Sequence, residues 1–296
     1  MTPAGASDRF LDINGVRPDG RPSGRLHLLD WGGDGATVLC VHANGYLAAL
    51  WHPIALELRR DARVLALDLP GHGDSDPSPD YRWDHLAGYL GGALQALDLG
   101  PALLVGHSLG GATAAICAAR FPSLVRAMVL ADPVILPRVL YEHPEASASS
   151  DLYGVKRRRR EWASREEMRE SLRAKLPYSR WLPEFFDLFV QEGVRETASG
   201  PDGRSVTLKC APETEAEIYR QSLFFDLWPE IAHADVPAIV LRGLSKEGFA
   251  SVTALELPGW LPRAEDRPLA DASHHVPMEC PGEVVRAARD LLAPST

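Results

Sequence analysis

A serine stands at the centre of Gly106-His-Ser-Leu-Gly110, where the apolar run Ala102–Val105 gives way to the small residues Gly111-Ala-Thr-Ala-Ala115. A serine hydroxyl is a poor nucleophile unless a neighbouring base takes its proton. A displayed Ser108 therefore asks for a histidine tuned near neutral pH and a carboxylate that fixes the tautomer of that histidine. The pattern G-x-S-x-G is a weak signal alone. A buried strand before it and a helix of small residues after it supply the strand–turn–helix setting of a nucleophile elbow. On so sharp a turn, side chains two residues before and two after the serine would collide, which accounts for Gly106 and Gly110. Gly111, Ala112, Ala114 and Ala115 let the helix approach the strand closely. The first N–H groups of that helix face any negative charge that develops beside the serine. The competing reading, a glycine-rich nucleotide-binding turn, fails on its own terms. The stretch does not satisfy G-x-G-x-x-G, and no lysine stands where a phosphate loop needs one.

The elements that must hold this turn follow from hydrophobic patterning. Thr37–Val41, Arg63–Asp68, Ala102–Val105, Ala127–Ala131 and Ala238–Leu241 are continuously apolar or nearly so. That is the mark of parallel strands covered on both faces. Helical stretches such as Trp83–Leu97 and Ala112–Ala119 lie between them. Strand–helix alternation predicts right-handed crossovers and a doubly wound, mostly parallel α/β sheet. The stretch from Arg9 to about Trp31 alternates more strictly and predicts antiparallel strands at the sheet edge. After Pro133 the alternation stops, and as far as His233 the chain reads as helical, rich in charges and aromatics. Strands resume at Val236. The organisation expected is a core of residues 1–133 and 234–296 with a helical cap inserted at 134–233. Within the insertion, Gly200-Pro-Asp-Gly203 is a turn signal and Ser205–Lys209 a short strand. The basic run Lys156–Arg160 is followed at once by Glu161, Glu166, Glu167 and Glu170, so it reads as a solvated helix face rather than a nucleic-acid patch.

Composition narrows the class further. The 296 residues suffice for one large domain with an insertion. The net charge of −9 argues against nucleic acid and anionic membrane surfaces as partners. The first residues show no apolar signal-peptide core, and no run approaches the roughly 18 apolar residues of a membrane span. Cys40, Cys117, Cys210 and Cys280 are scattered without a C-x-x-C pair. They predict free thiols in a cytoplasmic protein rather than a zinc site or a disulfide framework. Nothing calls for a metal or a cofactor, and oligomeric state is not legible.

The elbow and three further stretches resemble the α/β-hydrolase family, and together they cover nearly the whole chain. Val41-His-Ala-Asn-Gly45 is similar to the loop after that family's third strand. Asp68-Leu-Pro-Gly-His-Gly-Asp-Ser75 is similar to the loop after its fourth, and Ala272-Ser-His-His-Val-Pro-Met-Glu279 to the loop that carries its histidine. The insertion falls where the family places its cap. The resemblance implies a cofactor-independent serine hydrolase that cleaves carboxylic esters through an acyl-enzyme.

It also implies a set of site residues. The base is His274, because the pattern H-x-x-P-x-E is completed by Pro277 and Glu279, whereas His275 does not fit it. His27, His52, His85, His143 and His233 are assigned to surfaces or to the cap, and His107 to support of the elbow. After their matching strand many relatives read R-G-x-x-S-D. Arg242-Gly-Leu-Ser-Lys-Glu247 puts Glu247 at the acid position, with Asp132, at the end of the preceding strand, as its competitor. The order serine, acid, histidine holds for both. The oxyanion donors implied are the backbone N–H groups of Leu109 and Asn44. Here the chain departs from the family: Ala43 replaces the usual glycine, and glycine comes only at Gly45, so Ala43 or Gly45 are alternative donors. The aromatics Trp162, Trp181, Phe185, Phe186, Phe189, Phe224, Phe225 and Trp228 are expected to form mostly the core of the cap, some of them lining an apolar pocket over Ser108. A serine at the elbow argues against dehalogenases and epoxide hydrolases, which use aspartate there. C–C bond hydrolases, lactonases and perhydrolases share the same triad. The rival of a different class is a non-catalytic ligand-binding protein on the same scaffold.

Overall fold

The computed structural model describes residues 2–14, 22–142, 152–198, 204–222, 224–251 and 253–293. Its main sheet is built from the apolar runs just described. Strands β1 (Ser7–Asn14), β2 (Pro22–Gly32), β3 (Thr37–Val41), β4 (Arg63–Leu67), β5 (Ala102–His107), β6 (Val125–Ala131), β10 (Ala238–Gly243) and β11 (Ala264–Leu269) lie in the order β1-β2-β4-β3-β5-β6-β10-β11. From β4 to β11 every pairing is parallel. The pairs β1–β2 and β2–β4 are antiparallel, as the alternating pattern before Trp31 predicts. Every residue of β3 and β5 is buried, which is what continuous apolar strands require when both faces are covered. The parallel strand β11 does not follow from its sequence. Ala264-Glu-Asp-Arg-Pro-Leu269 is half-exposed and charged because β11 is an edge strand, paired only with β10.

Helices α1 (His52–Leu58), α2 (Trp83–Leu97) and α3 (Leu109–Arg120) connect the first parallel strands. Between β6 and β10 the chain leaves the sheet. It forms α4 (Arg165–Leu172), α5 (Pro183–Glu192), α6 (Pro212–Gln221) and α7 (Trp228–Ile231), together with a small antiparallel sheet of β7 (Glu161–Trp162), β9 (Ser205–Leu208) and β8 (Val194–Thr197) in that spatial order. The insertion is thus mixed rather than helical, and the expected strand at Ser205 is β9; the turn signal at 200–203 lies outside the described residues. After β10 come α8 (Leu257–Trp260), α9 (Val276–Glu279) and α10 (Pro281–Leu292). Two apolar layers result. Leu86, Leu90 and Ile116 of α2 and α3 pack on one face of the sheet, and Ile54, Leu58, Val284 and Ala288 of α1 and α10 on the other.

The ends of the insertion stay on the main sheet. Ile135 and Trp228 belong to its apolar layer, and the Trp228 indole N–H donates to the Leu136 carbonyl at 2.9 Å. The basic run is not a solvated helix face. Leu152–Arg157 is a 3₁₀ turn, and Glu161 already opens β7. Arg159 and Arg160 pair with Glu167 and Glu213 at the surface, but Arg158 turns inward to Glu215 at 2.7 Å. All four cysteines are free. Among the described residues no helix is long and apolar enough to cross a membrane.

Candidate active site

The carboxyl ends of parallel strands are where an open α/β sheet presents its crevice, and four loops converge there. Ser108 links β5 directly to α3 with φ 56° and ψ −116°, a conformation that costs a non-glycine residue energy. Three hydrogen bonds hold it. Its N–H donates to Ala131 O, and its carbonyl accepts from Ala112 N and Val134 N, each at 3.1 Å. The flanking glycines are sterically required. A Cβ on Gly106 would lie 2.4 Å from Gly110 O, one on Gly110 would lie 2.2 Å from Val41 O, and one on Gly111 would lie 2.8 Å from Pro133 Cβ.

His274 lies in the loop between β11 and α9. Its Nε2 is 2.9 Å from Ser108 Oγ, and its Nδ1 is 2.7 Å from Asp132 Oδ1. With Nδ1 donating to the carboxylate, Nε2 is left to accept the serine proton. The backbone fixes the ring from both sides. His274 N donates to Phe249 O at 2.9 Å, and His107 Nε2 donates to His274 O at 2.9 Å. His107 therefore ties the histidine loop to the elbow. His275 cannot substitute as base. It reaches Tyr46 Oη at 3.0 Å instead, and burial, with His274 and His107 beside it, pushes its pKa well below the usual histidine range.

The carboxylate partner corrects the expectation. Glu247 projects into solvent, 89% exposed, where it pairs with Arg180 at 3.1 Å. Asp132 is fully buried. The reason is sheet order. β6 lies between β5, which leads to the serine, and β10, so the residue just past the end of β6 emerges beside Ser108. Asp132 adopts φ 45° there, donates its N–H to Leu241 O at 2.7 Å, and accepts Gly243 N–H on Oδ2 at 2.8 Å. The loop after β10 turns away instead, its Ser245 N–H bonded to Ala272 O at 2.9 Å, and carries Glu247 outward. Glu279, singled out only as part of a motif, anchors the histidine loop. Its side chain is almost wholly buried, accepts Ser273 N–H at 2.8 Å and Ser273 Oγ–H at 2.6 Å, and pairs with Arg180 at 3.2 Å.

Leu109 opens α3, so its N–H has no carbonyl one turn back to bond. Of the residues after His42, Gly45 is excluded as a second donor because its N–H already binds His72 Nε2 at 3.0 Å. The Asn44 side chain donates to Glu215 O at 2.9 Å, and Ala43 and Asn44 both line the cavity. The loop is braced by uncharged histidines. His42 Nε2 accepts Leu69 N–H at 3.0 Å, and burial pushes His72 down to about 3. Beneath them Asp68 accepts Ala48 N–H at 2.6 Å and lies 2.7 Å from His27 Nδ1. Burial alone would raise the Asp68 pKa, but the His27 hydrogen bond and its neighbours hold it at about 2. His27 is thus a buried support, not a surface residue. Its ligating atoms and those of Asp68 and Asp74 fall within 4.8 Å of one another. Both its nitrogens are already engaged, by Asp68 and by Asp8 at 2.9 Å, so the cluster reads as internal bracing rather than a metal centre.

A cavity of about 370 Å³ opens over Ser108 and His274. Of the eight aromatics expected to form mostly the core and in part the lining, only Trp162 lines it. Trp181, Phe185, Phe186 and Phe189 form a packed core with Tyr46 and Tyr178, Phe225 packs against the main sheet, and Phe224 is exposed. Tyr46, Tyr178, Tyr219 and Phe249, none of them in the expected set, also line it. His143 lies outside the described residues.

A family model described as the α/β-hydrolase fold matches residues 36–281, and the chain belongs to that family. An esterase of Mycobacterium tuberculosis is 36% identical over 144 residues, which is 46% of this chain and 46% of that protein. A 2-(acetamidomethylene)succinate hydrolase of Mesorhizobium japonicum is 36% identical over 101 residues, 34% of this chain and 36% of that one. The matches thus span less than half the length of these relatives. Among solved structures, E-2-(acetamidomethylene)succinate hydrolase superposes with a TM-score of 0.75 at 22% identity, covering 97% of this chain and 99% of the other. A thermophilic esterase from Thermogutta terrifontis superposes at 0.68 and 24% identity, covering 96% and 98%. These likenesses establish the shared fold.

Proposed function

We propose that the protein is a serine hydrolase of carboxylic esters, with Ser108, His274 and Asp132 as its triad and the segment 134–233 as a cap over the substrate. The observation that carries this reading is the unbroken line of hydrogen bonds from Ser108 Oγ through His274 to the buried carboxylate of Asp132, on the floor of a cavity. Ser108 Oγ attacks the ester carbonyl while His274 Nε2 takes its proton. The Asp132 carboxylate stabilises the imidazolium. The oxyanion is held by the Leu109 N–H and the Asn44 N–H, each such donor contributing about a hundredfold or more. Collapse breaks the C–O bond, and the imidazolium protonates the departing alcohol. Water, deprotonated by His274, then attacks the acyl-enzyme, and the proton returns to Ser108 as the acid leaves.

The esterase among the relatives supports the substrate class. A panel of esters, lactones and vinylogous diketones separates this reading from lactone or C–C cleavage by the same residues. Burst release from a nitrophenyl ester separates turnover from mere binding. A fluorophosphonate probe is expected to label the wild-type protein and not Ser108→Ala, with turnover in that variant down by about a millionfold. Equal labelling of the two proteins sinks the proposal.

A further inference from the structure

The cavity carries a charge pattern opposite to that of the whole chain. The net charge is −9, yet among the described residues Arg157, Arg158, Arg159 and Lys175 all line the cavity, against the one carboxylate of Glu215. We propose that the ester cleaved at Ser108 carries a carboxylate of its own, held by a cationic wall of Arg157, Arg158 and Lys175. The inference rests on the ester-hydrolase reading of Ser108 and names the substrate class of that site.

Three observations carry it. First, the wall stands close to the chemistry. A Cβ on Gly45, in the loop that holds the oxyanion donors, would lie 3.0 Å from Arg158 Nη1. The guanidinium therefore packs on the loop after β3, and it lines the same cavity as Ser108 and His274. Second, Arg158 is built in rather than draped over the surface. It is fixed by Glu215 at 2.7 Å and by Tyr178 Oη at 2.9 Å, while its side chain keeps 21% exposure, and it lines the cavity. A guanidinium is a planar fork with more donors than those two contacts use, and it suits a carboxylate. Third, Glu215 balances only one of the cations. Arg159 is drawn off to Glu167, while no ion pair joins Lys175 to another described residue, so the described part of the lining keeps the Lys175 charge unbalanced. A net-negative chain that concentrates cations over its nucleophile focuses anions there. The lining also carries apolar side chains, among them Val134, Trp162 and Phe249. The substrate that fits is a short hydrocarbon chain with an ester within reach of Ser108 and a carboxylate towards Arg158.

The test compares matched substrates by pH-stat titration. One pair places the carboxylate on the acyl side (monoethyl adipate against ethyl hexanoate), the other on the alcohol side (4-acetoxybutanoate against butyl acetate). At low salt the anionic member of at least one pair is expected to show kcat/KM about tenfold or more above its neutral match, as a charge-assisted hydrogen bond predicts. That ratio should shrink as salt rises from about 0.05 to 0.5 M, because the mouth of the cavity is open to screening ions. Arg157→Gln and Lys175→Gln, both at exposed positions, should each lower the ratio several-fold. Neutral esters cleaved as well as or better than anionic ones in both pairs overturn the inference while leaving the esterase reading intact. If no ester is cleaved, the esterase reading fails on its own. The inference is then decided by calorimetry on the Ser108→Ala protein: adipate must bind at least tenfold more tightly than diethyl adipate, and equal or absent binding of adipate overturns it.

Discussion

Asp132 Oδ1 lies 2.7 Å from His274 Nδ1, although 142 residues separate the two in the chain. Asp132 is fully buried, while the more conventional candidate by spacing, Glu247, stands in solvent on Arg180. The pairing is a product of sheet order. β6 and β5 are neighbours, so their carboxyl ends deliver the acid and the serine side by side, and the loop after the edge strand lowers the histidine between them.

The elbow tolerates no side chain at Gly110. A Cβ there would lie 2.2 Å from Val41 O and 2.7 Å from His42 O, both backbone atoms leading into the oxyanion loop. Gly110→Ala is expected to destabilise the fold by about 2 kcal/mol or more, in the range of overpacked cores. It should also lose ester turnover out of proportion to that loss, because the displaced segment carries a proposed oxyanion donor. Thermal denaturation and kcat on one nitrophenyl ester, measured together, check both. A variant with normal turnover would contradict the tight elbow.

Much of this arrangement was legible in the sequence, and what was not has physical reasons. The five continuously apolar runs are strands because burial on both faces demands such runs. The sixth parallel strand, Ala264–Leu269, escaped because an edge strand needs no apolar face towards solvent. The elbow and His274 were readable because their constraints are local: glycines crowded by a turn, a histidine spaced from Glu279. The acid was not, because it depends on which strands are neighbours, and spacing within the Arg242–Glu247 loop says nothing of that. The inward turn of Arg158 was hidden for the same reason. Its partner Glu215 is 57 residues further along the chain, and the run Lys156–Arg160 looks uniform without it.

The histidine loop should depend on Glu279. Its buried carboxylate ties Ser273 to Arg180 immediately before His274. Glu279→Ala removes one partner of a mostly buried ion pair, which typically costs about 3 kcal/mol. A lowered denaturant midpoint is expected, with kcat falling more than KM rises because His274 loses its orientation. Retained stability and unchanged kcat would show that the loop is held by other contacts.

Stability should depend on pH through Asp68 and His27, which face each other with Asp8 and Asp74 close by. The Asp68 pKa is lowered from 3.8 to about 2, so its contribution is full above about pH 4 and is lost as pH falls towards 2. The His27 pKa is raised: burial opposes its charge, but the Asp68 hydrogen bond and charge outweigh that. Its contribution is full below about pH 6.5 and is lost as pH rises through the higher folded value. Wild-type stability should therefore fall between about pH 4 and 2 by on the order of 2 kcal/mol from Asp68 alone. Asp68→Asn should flatten that slope in urea titrations at several pH values. An unchanged acid slope would show that other carboxylates set it.

The most direct test of the triad is to measure Asp132→Asn and Glu247→Gln side by side on one ester, with circular dichroism to confirm folding. Asp132→Asn keeps the shape but removes the charge that orients His274, so kcat should fall by on the order of ten-thousandfold, while Glu247→Gln, which touches only Arg180 at the surface, should stay within about twofold of wild type. A folded Asp132→Asn protein with near-normal kcat beside a crippled Glu247→Gln would contradict the account.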